Sequence, residues 1–335
     1  MKISQQELRE LLISKALKIV SRLEAEYFAD ESIEIHLRKI PRNNPIKSTI
    51  WDLLASLKSW KNIELKNDLG ASVTIDFHSH GPLLYSKMIH DLVEERTKKY
   101  GICMISLVNG QWIHTLQQWT QWLAKKWIVS IISANGWPAG VIPYNGTKWV
   151  FGTNPISYGI PNDTWDQCID MATSEAPYFE IMQAHAAGED MREWIAVDNL
   201  WQPTIKTSES LDFSKPEAIS NLTPMWWGYK WYNIVYLLEL LTSWLIWSPS
   251  SPEMSDDFVP EEHWAILIAM NPKALWTDQN LQNSLDSINS SLKDQTPKKW
   301  EVIEIPGIRS NETLNKNKNL EIEIDKTLFD TLKNL

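Results

Sequence analysis

The chain has 335 residues, with 42 acidic against 32 basic side chains and a formal net charge of −10. Nucleic-acid phosphates require a basic face, so this balance argues against a nucleic-acid partner. No apolar run reaches the length of a membrane span, and the N-terminal MKISQQELRE is too polar for a signal peptide. We therefore expect a cytoplasmic protein without a membrane partner, long enough for two domains.

The N-terminal part of the chain is predicted to be helical. Leu8, Leu12 and Ala16 recur at helical spacing, which indicates helices over residues 1–40. A turn rich in Pro and Asn opens the stretch 41–70, and its apolar spacing then predicts a further helix.

Between residue 71 and about residue 185, apolar runs alternate with amphipathic stretches. Such alternation predicts an α/β sheet domain. The predicted strands are 71–77, 101–108 and 128–132, and the predicted helices are 86–99, 116–126 and a stretch that ends at 188.

The C-terminal part combines loops with a few apolar runs. The predicted regular elements are a long apolar helix over 232–246, a strand over 265–270 and a helix over 281–292. Loops are expected over 196–221 and 248–262, and a polar tail after 302–306. There is no internal repeat.

The two cysteines, Cys103 and Cys168, both lie in apolar, strand-like runs. Such positions favour buried free thiols over a disulfide. Two cysteines cannot complete a zinc site by themselves, and no metal site is predicted.

The most informative stretch is 148–174, which reads KWVFGTNPISYGIPNDTWDQCIDMATS. Gly152 permits a close backbone approach, and Pro155 fixes a rigid turn behind Thr153 and Asn154. The run CIDMATS predicts a strand that ends at a helix N-cap, and free N–H groups at a helix start suit phosphate. From the residues alone, a structural turn followed by a strand explains the same pattern.

GTNPI followed by DMATS resembles the malate/L-lactate dehydrogenase family that lacks the Rossmann fingerprint and includes ureidoglycolate dehydrogenase and diketogulonate reductase. No Gly-x-Gly-x-x-Gly is present. The resemblance implies an α/β fold, with a mixed-sheet, non-Rossmann NAD(P)-binding domain and a mostly helical domain formed by both chain ends. The implied division is 1–70 (helical), 71–211 (NAD(P)-binding) and 212–335 (return to the helical domain).

The resemblance further implies an oxidoreductase that interconverts a small 2-oxo acid and a 2-hydroxy acid with NAD or NADP, in a homodimer. The cofactor supplies the hydride, and the protein supplies orientation, a carboxylate anchor and a proton donor. Thr153 matches a substrate-lining position. The matching cofactor positions are Asn135, Gly136, Asp170, Met171, Ala172, Lys230, Pro306 and Gly307.

The first family histidine is replaced in this chain. The Ser-His-Gly motif of the family falls on residues 42–44, so Asn43 takes the histidine position and Lys47 that of an arginine. Asn43 and Lys47 are predicted to contact substrate. Lys47 can hold a carboxylate as a point charge, but Asn43 cannot donate a proton. A separate Ser-His-Gly, centred on His80, lies beyond the family position and is interpreted as a coincidence in a polar loop.

The second family histidine is also displaced. Trp112 takes its position, and His114 follows two residues later. His114 is the predicted acid/base, and a structural histidine is the alternative. Since both family donors are missing, the alternative function is a catalytically silent homologue that acts as a cofactor-binding or regulatory module. Glu180 stands at a commonly basic family position, which weakens any preference for NADP.

The composition contains one anomaly, 19 Trp beside only 12 Gly, where glycine normally makes up about 7% of residues. Trp127 follows a predicted helix at the C′ position that favours glycine. The other tryptophans that fall at family glycine positions or behave likewise are Trp194, Trp201, Trp227, Trp231, Trp244, Trp247, Trp264 and Trp300.

Tryptophan is unsuited to these positions, because tight turns and C-caps require positive φ. Some bacterial lineages translate UGA as glycine, and we hypothesise that many of these tryptophans are glycine in the native protein. The competing interpretation is that the tryptophans are genuine. Trp119 and Trp122 on one predicted helix could then stack on sugars or bases.

Overall fold

The computed structural model describes residues 1–38, 45–111, 113, 115–135, 139–163, 167–212, 219–223, 225, 228–255, 259, 262–275, 278–299 and 303–335. Three predicted site residues, Asn43, His114 and Gly136, lie outside the described residues. Their proposed roles therefore stay predictions.

A seven-stranded mixed sheet forms the centre of the fold, in the order β2-β3-β4-β12-β5-β6-β7. Only β3 and β4 are parallel, and every other neighbouring pair is antiparallel. The strands are β2 (Glu64–Lys66), β3 (Ser72–Asp76), β4 (Ile102–Val108), β5 (Val129–Ala134), β6 (Ile156–Ile160), β7 (Gln167–Met171) and β12 (Ala265–Met270). This sheet confirms the predicted mixed, non-Rossmann α/β class.

The middle of the sheet is its most buried part. Leu267 in β12 pairs with Ile105 in β4 on one side and with Ile132 in β5 on the other. All three side chains are fully buried. The strands β4, β5 and β12 are largely apolar runs, which is why the sequence revealed them.

Helices surround the sheet, and several follow the predicted apolar spacing. In α1, Leu8, Leu12 and Ala16 lie on one face and are fully buried. The helices are α1 (Gln5–Ala16), α2 (Arg22–Arg38), α3 (Pro45–Lys58), α4 (Ser86–Tyr100), α5 (Gln117–Lys125), α6 (Tyr178–Ala187), α7 (Thr207–Ser210), α8 (Tyr229–Thr242), α9 (Pro272–Leu275), α10 (Asp278–Lys293), α11 (Ile308–Asn317) and α12 (Lys326–Asn334).

The two chain ends pack together. β1 (Lys2–Ile3) pairs with β13 (Ile322–Glu323), and the Met1 amino group donates to the Ile324 carbonyl at 2.7 Å. Helix α12 contacts α1 and α3, while α11 contacts α2. The three-part domain division stays a proposal, and the sheet draws its central strand β12 from the segment 212–335.

The C-terminal tail is regular, contrary to the prediction of a polar tail. Residues after 307 form α11, β13 and α12. Asp325 caps α12 by accepting from the Thr327 and Leu328 amides at 2.8 and 3.2 Å. Few apolar residues are needed here, because these amphipathic helices bury only narrow faces against the N-terminal helices.

Two further local predictions were wrong. The segment 196–221 is not only loop, since it contains α7 and four two-residue strands: β8 (Ala196–Val197), β9 (Pro203–Thr204), β10 (Leu211–Asp212) and β11 (Ile219–Ser220). The residues after β7 do not cap a helix directly. Helix α6 begins at Tyr178 with Pro177 as its N-cap, because Ser174 Oγ instead donates to the Ala176 carbonyl at 2.6 Å.

Both cysteines are buried free thiols, as predicted. No helix in the described part of the chain combines the length and apolarity needed to cross a bilayer.

Four tryptophans adopt left-handed backbone conformations: Trp127, Trp194, Trp201 and Trp247, with φ of 59°, 70°, 64° and 63°. These positions are among those that the sequence singled out as glycine-like. The other six non-glycine residues with positive φ in the described chain are four asparagines, a histidine and a serine, types that tolerate this region better.

Candidate active site

Three segments meet at Thr173, two of them from the stretch 148–174 and the third from the start of α8 and the residues before it. The Thr173 amide and hydroxyl donate to the Thr153 carbonyl at 2.9 and 3.0 Å, which joins DMATS to GTNP. From the other side, the Met225 amide and the Trp231 indole N–H donate to the Thr173 carbonyl at 3.1 and 2.9 Å. The start of α8, which carries Lys230, is therefore fixed beside the end of β7.

The GTNP turn is held by a buried carboxylate. Glu239 of α8 accepts from Asn154 Nδ2 at 2.5 Å and from the Ser251 amide at 2.6 Å. Ser251 Oγ in turn accepts from the Gly152 amide at 2.8 Å. Asn154 has a φ of 31°, a strained value that these contacts impose. Polar groups on α8 and at residue 251 thus bond to both ends of the turn, and its rigidity stays a prediction.

A cleft of about 830 Å³ lies between the edge strand β7 and helix α11, and we call it the β7–α11 cleft. Its walls come from β7, the ends of α2 and α5, helix α6 and the start of α11. The lining residues are Arg38, Gln117, 168–171, Pro177, Glu180, Gln183, 304–307, Arg309, Ser310 and Thr313.

The N-terminus of α11 opens onto this cleft. Its N-cap is Gly307, with a φ of 88° and no side chain over the first turn. The positive end of the helix dipole favours an anion here, beside an Ile308 amide that donates to the Ile305 carbonyl at 3.3 Å. The geometry therefore provides a phosphate-compatible wall opposite the carboxylate of Asp170.

Gln117, the first residue of α5, ties the two walls together. Its amide donates to Asp170 Oδ2 at 3.2 Å, and its side-chain Nε2 donates to Ser310 Oγ at 3.0 Å. The hydrogen bonds orient the Asp170 carboxylate at the end of β7 and hold α11 against the sheet.

Arg38 reaches the same cleft from the end of α2. Its side chain is nearly fully buried and pairs with Glu34 at 2.7 Å, while Nη1 donates to Asn311 Oδ1 at 3.0 Å. Burial opposes ionisation of Glu34, but Lys125 and Arg38 outweigh it and lower the pKa of that carboxyl. The guanidinium is therefore neutralised by its own partner.

Four of the predicted cofactor residues line this cleft together: Asp170, Met171, Pro306 and Gly307. Ala172 follows Met171 directly at the end of β7. The structure thus brings the DMATS segment next to a Pro-Gly pair that lies more than a hundred residues further along the chain.

A family model of malate/L-lactate dehydrogenases matches residues 55–333. The chain belongs to this family. A malate/(S)-sulfolactate dehydrogenase from Methanothermus fervidus is 25% identical over 286 residues, which cover 84% of this chain and 80% of that protein. A (2R)-3-sulfolactate dehydrogenase (NADP(+)) from Chromohalobacter salexigens is 25% identical over 216 residues, 63% of this chain and 60% of that protein.

Solved structures of the malate/L-lactate dehydrogenase family share the fold. Sulfolactate dehydrogenase from Methanocaldococcus jannaschii superposes with a TM-score of 0.83 at 20% identity, covering all of this chain and 96% of that one. This likeness shows that the two chains share their fold over the whole of this chain.

Other predicted residues of this family member lie outside the cleft lining. Lys230 is exposed in the first turn of α8, next to Trp231. Lys47 is exposed in the first turn of α3. Thr153 contributes its carbonyl to the bonds with Thr173. These three residues stay predictions for ligand contacts.

The side chain of Asn135 is used structurally. Its Nδ2 donates to Ser248 Oγ at 2.8 Å and to the Glu262 carbonyl at 3.0 Å, and its Oδ1 accepts from the Trp264 amide at 2.6 Å. Both amide hydrogens are thus committed to protein partners. The predicted cofactor contact of Asn135 cannot come from a free side-chain donor, because this side chain clamps β5 to the segment that leads into β12.

A second cleft, of about 740 Å³, lies where β3 and β4 end, and we call it the β3–β4 cleft. His78, Ser79, Asn109 and Gln111 line it, together with α3 and the loop that follows. Gln111 directly precedes the segment that carries Trp112 and His114. The cleft is therefore adjacent in sequence to the family's second histidine position.

His78 in the β3–β4 cleft lies beside a carboxylate that sequence reasoning missed, and its backbone amide donates to Asp76 Oδ1 at 3.1 Å. Its Nδ1 lies 3.3 Å from Asp76 Oδ1, and Lys66 Nζ lies 2.6 Å from Asp76 Oδ2. Burial opposes ionisation of Asp76, but hydrogen bonds from Lys66 and Asn109 outweigh it and lower its pKa. A histidine two residues after a strand-end aspartate was the available signal, and it fits a candidate acid/base.

His80 is structural. It is buried, with Nε2 2.7 Å from the Lys61 carbonyl and Nδ1 3.2 Å from the Tyr85 hydroxyl. Burial lowers the pKa of this imidazole. The interpretation of its Ser-His-Gly as a coincidence agrees with these contacts, although the residue is less exposed than a polar loop histidine.

Arg38, Gln117, Arg309 and Ser310 are cleft residues that sequence reasoning also missed. Arg309 and Ser310 belong to α11, a helix that was predicted to be part of a polar tail. Its amphipathic spacing was the signal that could have found them. Arg38 had no local signal, because only the packing of α2 against α11 brings it to the cleft.

In the described chain, no group of three or more His, Cys, Asp or Glu side chains comes together in a way that could hold a metal ion.

Proposed function

We propose that the protein is an NAD(P)-dependent oxidoreductase that interconverts a small 2-oxo acid and the corresponding 2-hydroxy acid. The observation that carries this proposal is the meeting of GTNP and DMATS at Thr173, where the Met225 amide, from the segment that leads into α8, also donates to the Thr173 carbonyl. Family membership supplies the reaction class. The relatives' names supply the substrate class, since malate and sulfolactate are 2-hydroxy acids with a second anionic group.

The β7–α11 cleft fits a dinucleotide in size and chemistry. Its volume of about 830 Å³ lies in the range of cofactor sites. The α11 N-terminus at Gly307 would hold phosphate, and the Asp170 carboxylate would accept from ribose hydroxyls. When bound, the cofactor supplies or accepts the hydride, and the chain orients it and excludes water.

The substrate is proposed to bind towards α3 and the β3–β4 cleft. Lys47 would hold the substrate carboxylate by charge. The proton would come from His114, as predicted, or from His78, whose Nδ1 lies 3.3 Å from Asp76 Oδ1. A panel of 2-oxo acids tested against His78→Asn and His114→Asn distinguishes the two donors, because loss of turnover with unchanged cofactor binding identifies the one used.

A catalytically silent homologue is the second candidate function. The observation in its favour is the occupation of both family histidine positions by residues that cannot act as proton donors, Asn43 and Trp112. Such a protein would bind the dinucleotide and act as a binding or regulatory module.

The deciding experiment measures NADH binding by fluorescence titration and NADH oxidation with oxaloacetate, sulfopyruvate and pyruvate. Binding with turnover supports the reductase, and binding without turnover supports the silent homologue. If neither NADH nor NADPH binds, both candidate functions are refuted. Lys230→Ala should weaken NADH binding about three- to tenfold through loss of one charge contact, while Lys326→Ala on the distant α12 should leave it unchanged. Equal effects of the two changes would contradict the role of Lys230.

We also propose a cytoplasmic homodimer. Free buried thiols agree with a reducing compartment. Helix α8 exposes Ile234, Tyr236 and Leu237, apolar side chains that a second copy of the chain would cover. Light scattering during size exclusion tests this state, and a monomer at micromolar concentration would refute it.

A further inference from the structure

The charged side chains around the β7–α11 cleft are mostly acidic. Asp170, Glu180 and Glu304 contribute carboxylates, whereas Arg38 and Arg309 contribute guanidinium groups. Summed over the described lining residues, the formal charge is therefore negative before any ligand enters.

Both guanidinium groups are already paired with carboxylates. Arg38 contacts Glu34 at 2.7 Å and is nearly inaccessible, and Arg309 Nη1 lies 3.4 Å from Glu304 Oε1. A further arginine, Arg192, contacts Glu180 at 3.0 Å from outside the described lining. An added anion would have to compete with an acidic partner for each arginine.

NADP differs from NAD by one phosphate on the adenosine ribose, which carries close to two negative charges at neutral pH. The α11 N-terminus offers roughly half a positive charge, and the pyrophosphate common to both cofactors would use it. The extra phosphate would then face carboxylates, whereas the ribose hydroxyl of NAD could donate to one of them.

We infer that the β7–α11 cleft selects NAD(H) over NADP(H), and that Glu180 and Glu304 are the specificity-determining residues. The inference rests on the proposed function, because it takes the cleft to be the dinucleotide site. Glu180 forms an ion pair with Arg192, and Glu304 forms one with Arg309. Each pair keeps its arginine from binding the additional phosphate of NADP(H).

The test measures the dissociation constants of NADH and NADPH for the full chain by fluorescence titration at low and high salt. NADH should bind at least about tenfold more tightly at low salt, since like charges repel the extra phosphate. The gap should narrow at high salt, because screening weakens that repulsion. Equal affinities at low salt, or tighter NADPH binding, would overturn the inference.

Two variants locate the effect. Glu180→Gln and Glu304→Gln each release an arginine, so each should tighten NADPH binding about three- to tenfold and change NADH binding less than about twofold. Glu189→Gln is the matched control, because this exposed carboxylate follows α6 without lining the cleft. If Glu189→Gln tightened NADPH binding as much as the two variants do, the change in net charge would explain the effect. The assignment of Glu180 and Glu304 as specificity-determining residues would then be overturned.

Failure of this inference and failure of the proposed function give different results. If neither NADH nor NADPH binds, the cleft is not a dinucleotide site and both ideas fall. If both bind with equal affinity, the cleft remains the dinucleotide site that the proposed function requires, and only the selectivity is refuted.

Discussion

Helix α5 and the loops of this protein carry tryptophans in opposite environments. Trp119 in α5 is fully buried, whereas Trp247 is 91% exposed and has a φ of 63°. The buried indole lies in regular helix, as its neighbours do. The backbone of Trp247 is left-handed, a conformation that glycine adopts freely and that L residues other than Asn and Asp avoid. Backbone conformation and packing therefore divide the tryptophans into two groups, those packed in α5 and those in loops with positive φ. The amino-acid composition alone cannot make this division.

The two indoles of α5, Trp119 fully buried and Trp122 partly buried, belong to a packed aromatic cluster. His90 of α4 stacks on Trp122 with ring centroids 4.5 Å apart and planes at 5°, and it meets Trp119 edge-on at 5.7 Å. Tyr27 of α2 completes the cluster through a 2.8 Å hydrogen bond to His90 Nδ1. These indoles join three helices, which is the role of genuine core residues.

The loop group makes no comparable core. Trp127, Trp194, Trp201 and Trp247 share positive φ, and Trp127 directly follows the helix C-cap at Lys126. Glycine fills such positions without strain. The comparison therefore supports glycine at these four sites in the native protein and tryptophan at positions 119 and 122.

The most direct way to break this comparison is the intact mass of the protein from its native source. We expect a mass lower than that of a chain with all 19 tryptophans, with the deficit equal to a whole number of Trp-to-Gly replacements. Peptide mapping should assign glycine to positions 127, 194, 201 and 247 and tryptophan to position 119. A mass that matches the printed sequence would end the codon hypothesis.

The largest expected loss of stability comes from Trp119→Gly. Removing a fully buried indole leaves a cavity, and glycine weakens the helix, so the free energy of unfolding should fall by about 5 kcal/mol. Chemical denaturation measures it. Trp119→Phe is the matched control, because it keeps most of the volume and removes an indole N–H that has no partner among the described atoms. A small effect of Trp119→Gly would place Trp119 in the loop group.

Much of the fold could be predicted from the sequence, because buried faces of helices and strands require apolar residues at regular spacing. The run AILIAM predicted β12, and Leu8, Leu12 and Ala16 predicted α1. The helices α11 and α12 were missed because they bury narrow faces in a polar sequence. Which strand neighbours which could not be predicted, since the place of β12 between β4 and β5 depends on long-range pairing.

The candidate site was accessible only in part. Asp170, Met171, Pro306 and Gly307 were named from the family resemblance, and the structure brings them to one cleft. Arg38 reaches that cleft only through helix packing. The hydrogen bonds of Asn135 could not be foreseen, because its partners lie more than a hundred residues away. The local sequence pattern predicts backbone conformation, whereas the hydrogen-bond partners of a side chain depend on tertiary contacts.

The titration of His90 tests whether the tryptophans of α5 are packed around it. We expect a pH-dependent loss of stability that is smaller than the effect of Trp119→Gly. Burial among the indoles lowers its pKa from 6.5 to about 3. The unfolded chain therefore binds a proton near pH 6.5 that the folded chain refuses, so stability is full above that pH and falls as the pH drops towards 3. The loss should reach about 2 kcal/mol at about pH 5.

Denaturation of the protein and of His90→Gln across this pH range measures that loss, which the variant should lack. NMR titration of the imidazole gives the pKa directly. In Trp122→Gly, water should reach the ring and move its pKa back towards 6.5. An ordinary pKa for His90 in the native protein would mean that the indoles of α5 do not surround it.

The smallest expected effect is a gain from Trp247→Gly. Relief of a left-handed backbone should raise the free energy of unfolding by about 1 kcal/mol, partly offset by the greater entropy of glycine in the unfolded chain. Trp247→Ala removes the same exposed indole but keeps a Cβ atom, so it should bring little gain. The difference between the two variants isolates the backbone strain from the loss of the side chain. If Trp247→Ala stabilised the protein as much as Trp247→Gly, the cost would lie in the exposed indole, and positive φ would no longer explain why glycine belongs at this position.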